Sequence, residues 1–406
     1  MNRKYMVLLG DGMADYPIAE LGGRTPLQAA RTPTLDRLAR QGRLGLVRTV
    51  PPGLPPGSDV ANLSIFGYDP ALYFTGRAPL EAAAMGIKLG LDDVAFRCNL
   101  LTLSGGEGKA FMDDFSAGHI STEEARRVIA DVEKSLGNQE FQFYPGVSYR
   151  HLLVWRHGEK GLSLTTTPPH DITGKAIAGY LPRGEGQEEI CGLMERAQKI
   201  LQNHPVNRSR QESGKKPANA IWLWGQGKAP SLLPVTKRFG LRGSVISAVD
   251  LMKGIGFYAG LEIVNVPGAT GYLDTNYAGK AEFALREIAQ KDFVYVHVEA
   301  PDEASHNGNR KDKIQAIEDF DGKIVGPILR GLAKHAPFRL LALPDHPTPL
   351  VLKTHSSEPV PFLIFSSEDG VGAPDQKRSF DEASASKAGL FIEKGHELLE
   401  KFIGGL

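Results

Sequence analysis

The sequence predicts an α/β protein: a mostly parallel central sheet flanked by helices, with an inserted α+β domain. Three observations carry this. Short apolar runs end abruptly in Gly, Asp or Pro and lead into segments of helical period, which is how strands of a buried parallel sheet read. Residues able to hold metal or phosphate stand just past those runs, where open α/β sheets bind their ligands. Between about 90 and 235 the order becomes mixed and turn residues more frequent, so a domain of different texture interrupts the sheet.

The expected strands are YMVLL at 5–9, AIWLW at 220–224, SVISA at 244–248, FVYVHV at 293–298, RLLAL at 339–343 and VPFLIF at 360–365. Helical period appears at 33–41, 121–135, 188–202, 247–259, 277–290, 310–333 and 384–401. Strand-like pieces at 94–103 and 151–155 belong to the mixed region, and the polar segment 203–217 reads as a long surface loop. At 406 residues the chain exceeds the size of a single core. The boundaries follow: 1–88 with 238–406 forms a discontinuous core, and 89–237 is inserted into it.

Composition narrows the function. Lys plus Arg and Asp plus Glu both number 47, so no overall positive field attracts nucleic acid or an anionic membrane. The apolar run at the start is too short for a secretory signal, and no stretch approaches the ~20 apolar residues of a membrane span. The two cysteines, Cys98 and Cys191, match no metal or redox spacing and read as buried small residues, which predicts a soluble, reducing, cytoplasmic setting. A homo-oligomer is left open. The glycine-rich LSGGEG at 103–108 lacks the context of a phosphate loop and predicts a hairpin turn, and Trp222 and Trp224 predict packing.

The chemistry-bearing residues cluster late. Asp302 and His306 stand four apart, which puts both on one face of a helical turn. Asp345 and His346 follow a strand, and His355 comes nine residues later. Asp11 follows the first strand. Carboxylate and imidazole together suit Mn²⁺ or Zn²⁺ better than Mg²⁺. With Ser58 of PPGSDVAN these residues make seven candidate ligands, more than one tetrahedral site uses, so two divalent ions are expected. Ser58 itself follows Gly and precedes an apolar run, a favoured N-cap position as well as a plausible nucleophile.

The stretches LLGDGMADYPIAELGGRTPLQAARTPTLDRLARQG, PPGSDVANLSIFGYDP, TGRAPLEAAAMGI, AFRCNLLTL and SAGHISTEEA resemble the archaeal-type cofactor-independent phosphoglycerate mutases, members of the alkaline phosphatase superfamily. The resemblance covers nearly the whole chain. It implies an alkaline phosphatase-like core with an inserted phosphotransferase domain, and two divalent ions, Mn²⁺ foremost, with Zn²⁺, Co²⁺ or Mg²⁺ as alternatives. One ion would be held by Asp302, His306 and His355. The other would be held by Asp11, Asp345 and His346, with Ser58 as ligand and nucleophile. The implied reaction interconverts 3-phosphoglycerate and 2-phosphoglycerate through phosphoserine, without 2,3-bisphosphoglycerate. Glycerate must not escape while Ser58 carries phosphate, which predicts a second domain that covers the site.

That domain is expected to recognise a small phosphorylated substrate. Arg97 and Arg150 suit bidentate contacts to phosphate or carboxylate. The Pro-rich TTPPHDITGK offers His170, Asp171 and Lys175, with Asp171 the expected acid/base unless it merely caps a turn. Lys228, Lys253 and His119 are further substrate candidates, His119 lying just ahead of a capping box of Ser121 and Glu124. Two rival readings stand beside the mutase: a homoserine kinase-like or other phosphoryl-transfer enzyme on the same scaffold, and a catalytically silent metal-binding protein.

Overall fold

The computed structural model describes residues 3–105, 109–334, 337–368 and 378–406. These divide into two compact units, Met1–Phe74 with Ser231–Leu406, and Thr75–Pro230. The first division falls at 74/75, ahead of 88/89, because helix Ala78–Ala84 packs Ala78 and Ala82 against Ala95 and Leu152 of the second unit's sheet. The second falls at 230/231 where 237/238 was expected.

The first unit is built on an eight-stranded sheet in the order 391–392, 43–47, 360–366, 338–343, 4–10, 293–298, 243–246, 262–264. Strands 338–343, 4–10, 293–298, 243–246 and 262–264 are mutually parallel, and 360–366 runs against its neighbours. Central strands Lys4–Gly10 and Phe293–Val298 are apolar nearly end to end because helices cover both faces.

Helix Pro33–Gln41 shows how remote polar groups finish local structure. Its N-cap residue Thr32 makes no side-chain cap, and the carboxylate of Asp321 accepts the N–H groups of Thr34 at 3.2 Å and Leu35 at 2.7 Å instead. Asp321 sits in a π-helical turn, Phe320–Val325, between helices Arg310–Asp319 and Gly326–Leu332, so the segment expected as one helix over 310–333 is interrupted by a wider turn.

The second unit carries a five-stranded sheet in which Val94–Ser104 pairs antiparallel with Phe111–Asp114, Arg150–Trp155 and Ala220–Gly227, and Phe141–Val147 pairs with Arg150–Trp155. Run 220–224 therefore does not join the parallel sheet; its antiparallel partner, 94–104, is equally apolar, so one run cannot reveal which sheet it enters. The segment expected to turn at 103–108 does join two antiparallel strands, with 106–108 outside the described residues.

Two further expectations are corrected. Segment 203–217 contains a helix, Pro205–Glu212, in place of a long loop. Buried polar side chains hold it: Asn207 donates to Leu201 and Ala218 carbonyls, and Arg210 reaches Glu124, Ala117 and Lys216. Segment 384–401 is not one helix. Asp381 caps a short helix, Glu382–Lys387; Gly389 adopts φ 75°, Phe391–Ile392 pairs with strand 43–47, and helix Leu398–Gly404 follows. No helix among the described residues is long and apolar enough to cross a membrane.

Candidate active site

Three adjacent strands of the first unit deliver the site. Strand 4–10 lies between 293–298 and 338–343, with Gly10 level with Val298 and Leu9 level with Leu343. All three run the same way, so Asp11, the Glu299–His306 segment and Asp345-His346 emerge at one sheet end although more than 330 positions separate the first from the last. Gly12 makes the turn at φ 61°; a Cβ there would lie 2.6 Å from both Asp302 Oδ1 and Thr348 Oγ1.

Ser58 begins helix Ser58–Ile65 as its first helical residue; Gly57 is the N-cap and no side chain caps the helix. The N-cap expectation for Ser58 is therefore overturned. Its hydroxyl lies 3.1 Å from His346 Nε2, free of the capping bond that would have turned it back onto the helix. One turn on, Asn62 donates to Ser58 O at 2.8 Å and Asp345 Oδ2 at 2.9 Å, and its Oδ1 accepts the Tyr295 hydroxyl at 2.6 Å.

The ligand set gathers into overlapping groups, Asp302 with His346 and His355, and Asp11 with Asp345 and His346, each with one ligand atom per residue within 4.8 Å of the others. His306 Nε2 stands 3.0 Å from His355 Nε2 and 3.1 Å from Asp302 Oδ2. A third group, Asp11 with His297 and Glu299, was missed in the sequence because His297 lies inside the apolar run FVYVHV and read as core. The structure places its Nε2 2.8 Å from Asp11 Oδ2 and its Nδ1 3.1 Å from Ser247 Oγ. Burial pushes His297 down to about 3, so this contact is a neutral hydrogen bond and no ion pair. Asn62 was missed too, although its spacing of four from Ser58 is a legible helical signal.

Two observations test whether these residues fit divalent ions. Asp11 Oδ1 is buried and makes no hydrogen bond. His306 Nδ1 can only donate to its neighbour, the Lys353 carbonyl at 3.0 Å, so a ring that gives up its Nε2 proton would aim that lone pair towards Asp302 and His355. The hydrogen bond with Asp302 raises His306 to about 9; at neutral pH a proton there does a cation's electrostatic work. Burial opposes it, yet hydrogen bonds from His306 and His355 hold Asp302 well below the usual carboxylate range. Burial, then Asp345 and Asp302, push Asp11 well above that range. Carboxylates and imidazoles at such separations fit divalent cations.

The second unit gathers its own candidates around aromatic rings. The Arg97 guanidinium lies 4.3 Å from the Trp224 ring centroid and is held by Glu81 at 3.1 Å. His170 packs against Trp224 and Phe115, Phe115 against Tyr149, and Tyr149 against both His119 and Arg150. Asp171 is exposed beside His170, at 3.6 Å, inside a 3₁₀ turn over Pro169–Ile172, and so does not cap it. Lys175 turns back to Asp171 O at 3.1 Å and Lys228 is exposed, so neither joins the cluster; Lys253 belongs to the first unit, where it pairs with Asp250 at 3.4 Å. Ser121 and Glu124 form the expected capping box. Trp224 does more than pack, since it carries Arg97, and Cys191 is only partly buried.

Comparison with known proteins decides the family. A probable 2,3-bisphosphoglycerate-independent phosphoglycerate mutase of Geobacter sulfurreducens is 58% identical over 400 residues, covering 98% of this chain and 99% of its own. The chain belongs to the 2,3-bisphosphoglycerate-independent phosphoglycerate mutases. The family's sequence profile matches residues 39–207, and the mutase of Methanosarcina acetivorans is 54% identical over 98% of both chains. A Pyrococcus horikoshii protein of solved structure superimposes with a TM-score of 0.83 at 31% identity, covering 100% of this chain and 98% of that one. The cofactor-independent phosphoglycerate mutase of Thermoplasma acidophilum gives a TM-score of 0.68 at 27% identity, over 99% of both. The mutases are isomerases, intramolecular phosphotransferases, and this chain is an enzyme of that family.

Proposed function

We propose that this chain interconverts 3-phosphoglycerate and 2-phosphoglycerate by a metal-dependent route through phosphoserine at Ser58. The observation that carries it is the Ser58 hydroxyl, uncapped and 3.1 Å from His346 Nε2, the atom that also faces Asp345 Oδ2 at 3.4 Å and Asp11 Oδ1 at 3.7 Å. Two divalent ions, Mn²⁺ foremost, held by Asp302, His306 and His355 and by Asp11, Asp345 and His346, would acidify that hydroxyl and offset phosphoryl charge. Ser58 Oγ gives up its proton and forms a bond to phosphorus as the bond from phosphorus to the C3 oxygen breaks. The C3 oxygen takes up a proton, leaving glycerate. The C2 hydroxyl then loses its proton and bonds to phosphorus as the bond from phosphorus to Ser58 Oγ breaks, and Oγ takes up a proton to restore the hydroxyl. Within the second unit, Asp171 is the proposed acid/base, Arg97 and Arg150 the proposed carboxylate contacts, and His119 and His170 further substrate contacts.

The test is a coupled assay on chelator-stripped protein reloaded with Mn²⁺ and given 3-phosphoglycerate without bisphosphoglycerate. Formation of 2-phosphoglycerate that requires the metal is the expected result. Failure of the reloaded protein to isomerise, or ATP-dependent phosphorylation of homoserine instead, overturns the reading.

A further inference from the structure

Thr348 stands two residues past His346 in LPDHPTP and is fully buried. Its main chain is pinned: the N–H donates to Ala14 O at 3.1 Å, and the carbonyl accepts Lys313 Nζ at 3.0 Å. Its hydroxyl lies 2.5 Å from Asp302 Oδ1 and 3.2 Å from His346 Nδ1. We infer that Thr348 is a positioning residue that sets the tautomer of His346, the ligand common to both groups of metal-ligating side chains, and ties it to Asp302; the inference rests on the metal-dependent reading above.

The argument is one of donors and acceptors. An ionised Asp302 only accepts, so the Thr348 hydroxyl gives it its one proton and has only lone pairs left for His346. His346 must then carry its proton on Nδ1. Its Nε2 lone pair faces Ser58 Oγ at 3.1 Å, Asp345 Oδ2 at 3.4 Å and Asp11 Oδ1 at 3.7 Å, where a cation ligand is needed. The opposite tautomer would aim an N–H into that space. For His306 the same service comes from the Lys353 carbonyl, which orients that ring alone. Thr348 differs because one hydroxyl serves both Asp302, which belongs to one group, and His346, which belongs to both. Gly12 keeps the space clear, since a Cβ there would lie 2.6 Å from the Thr348 hydroxyl.

Full-length wild type, Thr348→Val and Thr348→Ser, stripped with a chelator, would be titrated calorimetrically with Mn²⁺. Long-range ¹⁵N NMR of the stripped proteins, labelled at histidine, would read the His346 ring. Valine keeps the shape and removes both hydrogen bonds; serine keeps the hydroxyl. Wild type is expected to bind two Mn²⁺, Thr348→Val to bind both ions about 10–100-fold more weakly with the Nδ1–H form no longer dominant, and Thr348→Ser to stay within about threefold of wild type. Wild-type affinity in Thr348→Val, weakening of one ion alone, or an unchanged ring tautomer overturns the inference. Should Thr348→Val fail to fold, Thr348→Ser decides it: near-wild-type affinity supports the inference and a tenfold loss overturns it. A wild type that binds no Mn²⁺ sinks the metal reading itself, which is a separate result.

Discussion

Ser58 Oγ and His346 Nε2 meet at 3.1 Å across 288 positions of sequence. The contact needs helix Ser58–Ile65 to start at Ser58 itself, because a capping serine would spend its hydroxyl on the backbone N–H groups of the first turn. Ser58→Ala therefore removes the proposed nucleophile without removing a cap. Turnover in the coupled assay should fall by at least about a thousandfold, while thermal stability changes by less than about 1 kcal/mol. Activity retained within tenfold would remove Ser58 from the chemistry.

Asn62 is fully buried and spends its amide on Ser58 O, Asp345 Oδ2 and Tyr295 OH. Asn62→Ala strands the Tyr295 hydroxyl and takes the amide donor from Asp345 Oδ2, while the Gly12 and His346 N–H groups still hold Oδ1. Denaturant unfolding of the metal-free protein should show a loss of about 2–4 kcal/mol, and Mn²⁺ titration a weaker affinity. Equal stability in the two proteins would mean that water replaces the amide without cost.

Lys313 is fully buried, and its Nζ reaches Asp15 Oδ2 at 2.8 Å and the Ala14 and Thr348 carbonyls, so it ties the loop after the first strand to the one bearing His346. Removing one partner leaves a buried charge. Lys313→Met or Asp15→Asn alone should cost about 3–5 kcal/mol, and the double variant less than their sum. A double-mutant cycle by urea unfolding measures this; additive losses would show that the two residues do not act as a pair.

Glu382 accepts the Asp15 N–H at 3.1 Å and the Thr25 hydroxyl at 2.7 Å, and burial pushes its carboxyl up to about 7. The folded protein thus holds this proton more tightly than the unfolded chain. The group's contribution to stability is complete below about pH 4.3 and is lost as pH rises through about 7. Glu382→Gln has no such proton to lose. Relative to wild type it should gain about 2 kcal/mol between pH 5 and pH 8, after allowance for residual exposure. Parallel unfolding curves for the two proteins across that range would show that the carboxyl titrates normally.

The ends of apolar runs made much of the first unit legible. Asp11, Asp302, Asp345, His346 and His355 were readable from linear order because parallel strands must deliver their carboxyl ends to one edge. Polar segments were not readable in the same way. Helix Pro205–Glu212 is held by Asn207 and Arg210, and the strand at 391–392 by its pairing with 43–47, so in both places long-range hydrogen bonds outweigh local period.

By itself the sequence determined the chemistry available: which residues carry oxygen and nitrogen ligands, where a serine follows a proline-rich turn, and which runs are apolar enough to be buried strands. Only the tertiary structure decided how those groups face one another. It made Ser58 a first-turn residue in place of a cap, moved His297 from anonymous core to a hydrogen bond with Asp11, and set Thr348 between Asp302 and His346. The reason is physical. Apolar pattern acts through burial, which is non-directional and sums along the chain, whereas a tautomer or a lone pair depends on angles between atoms that only the folded chain brings together.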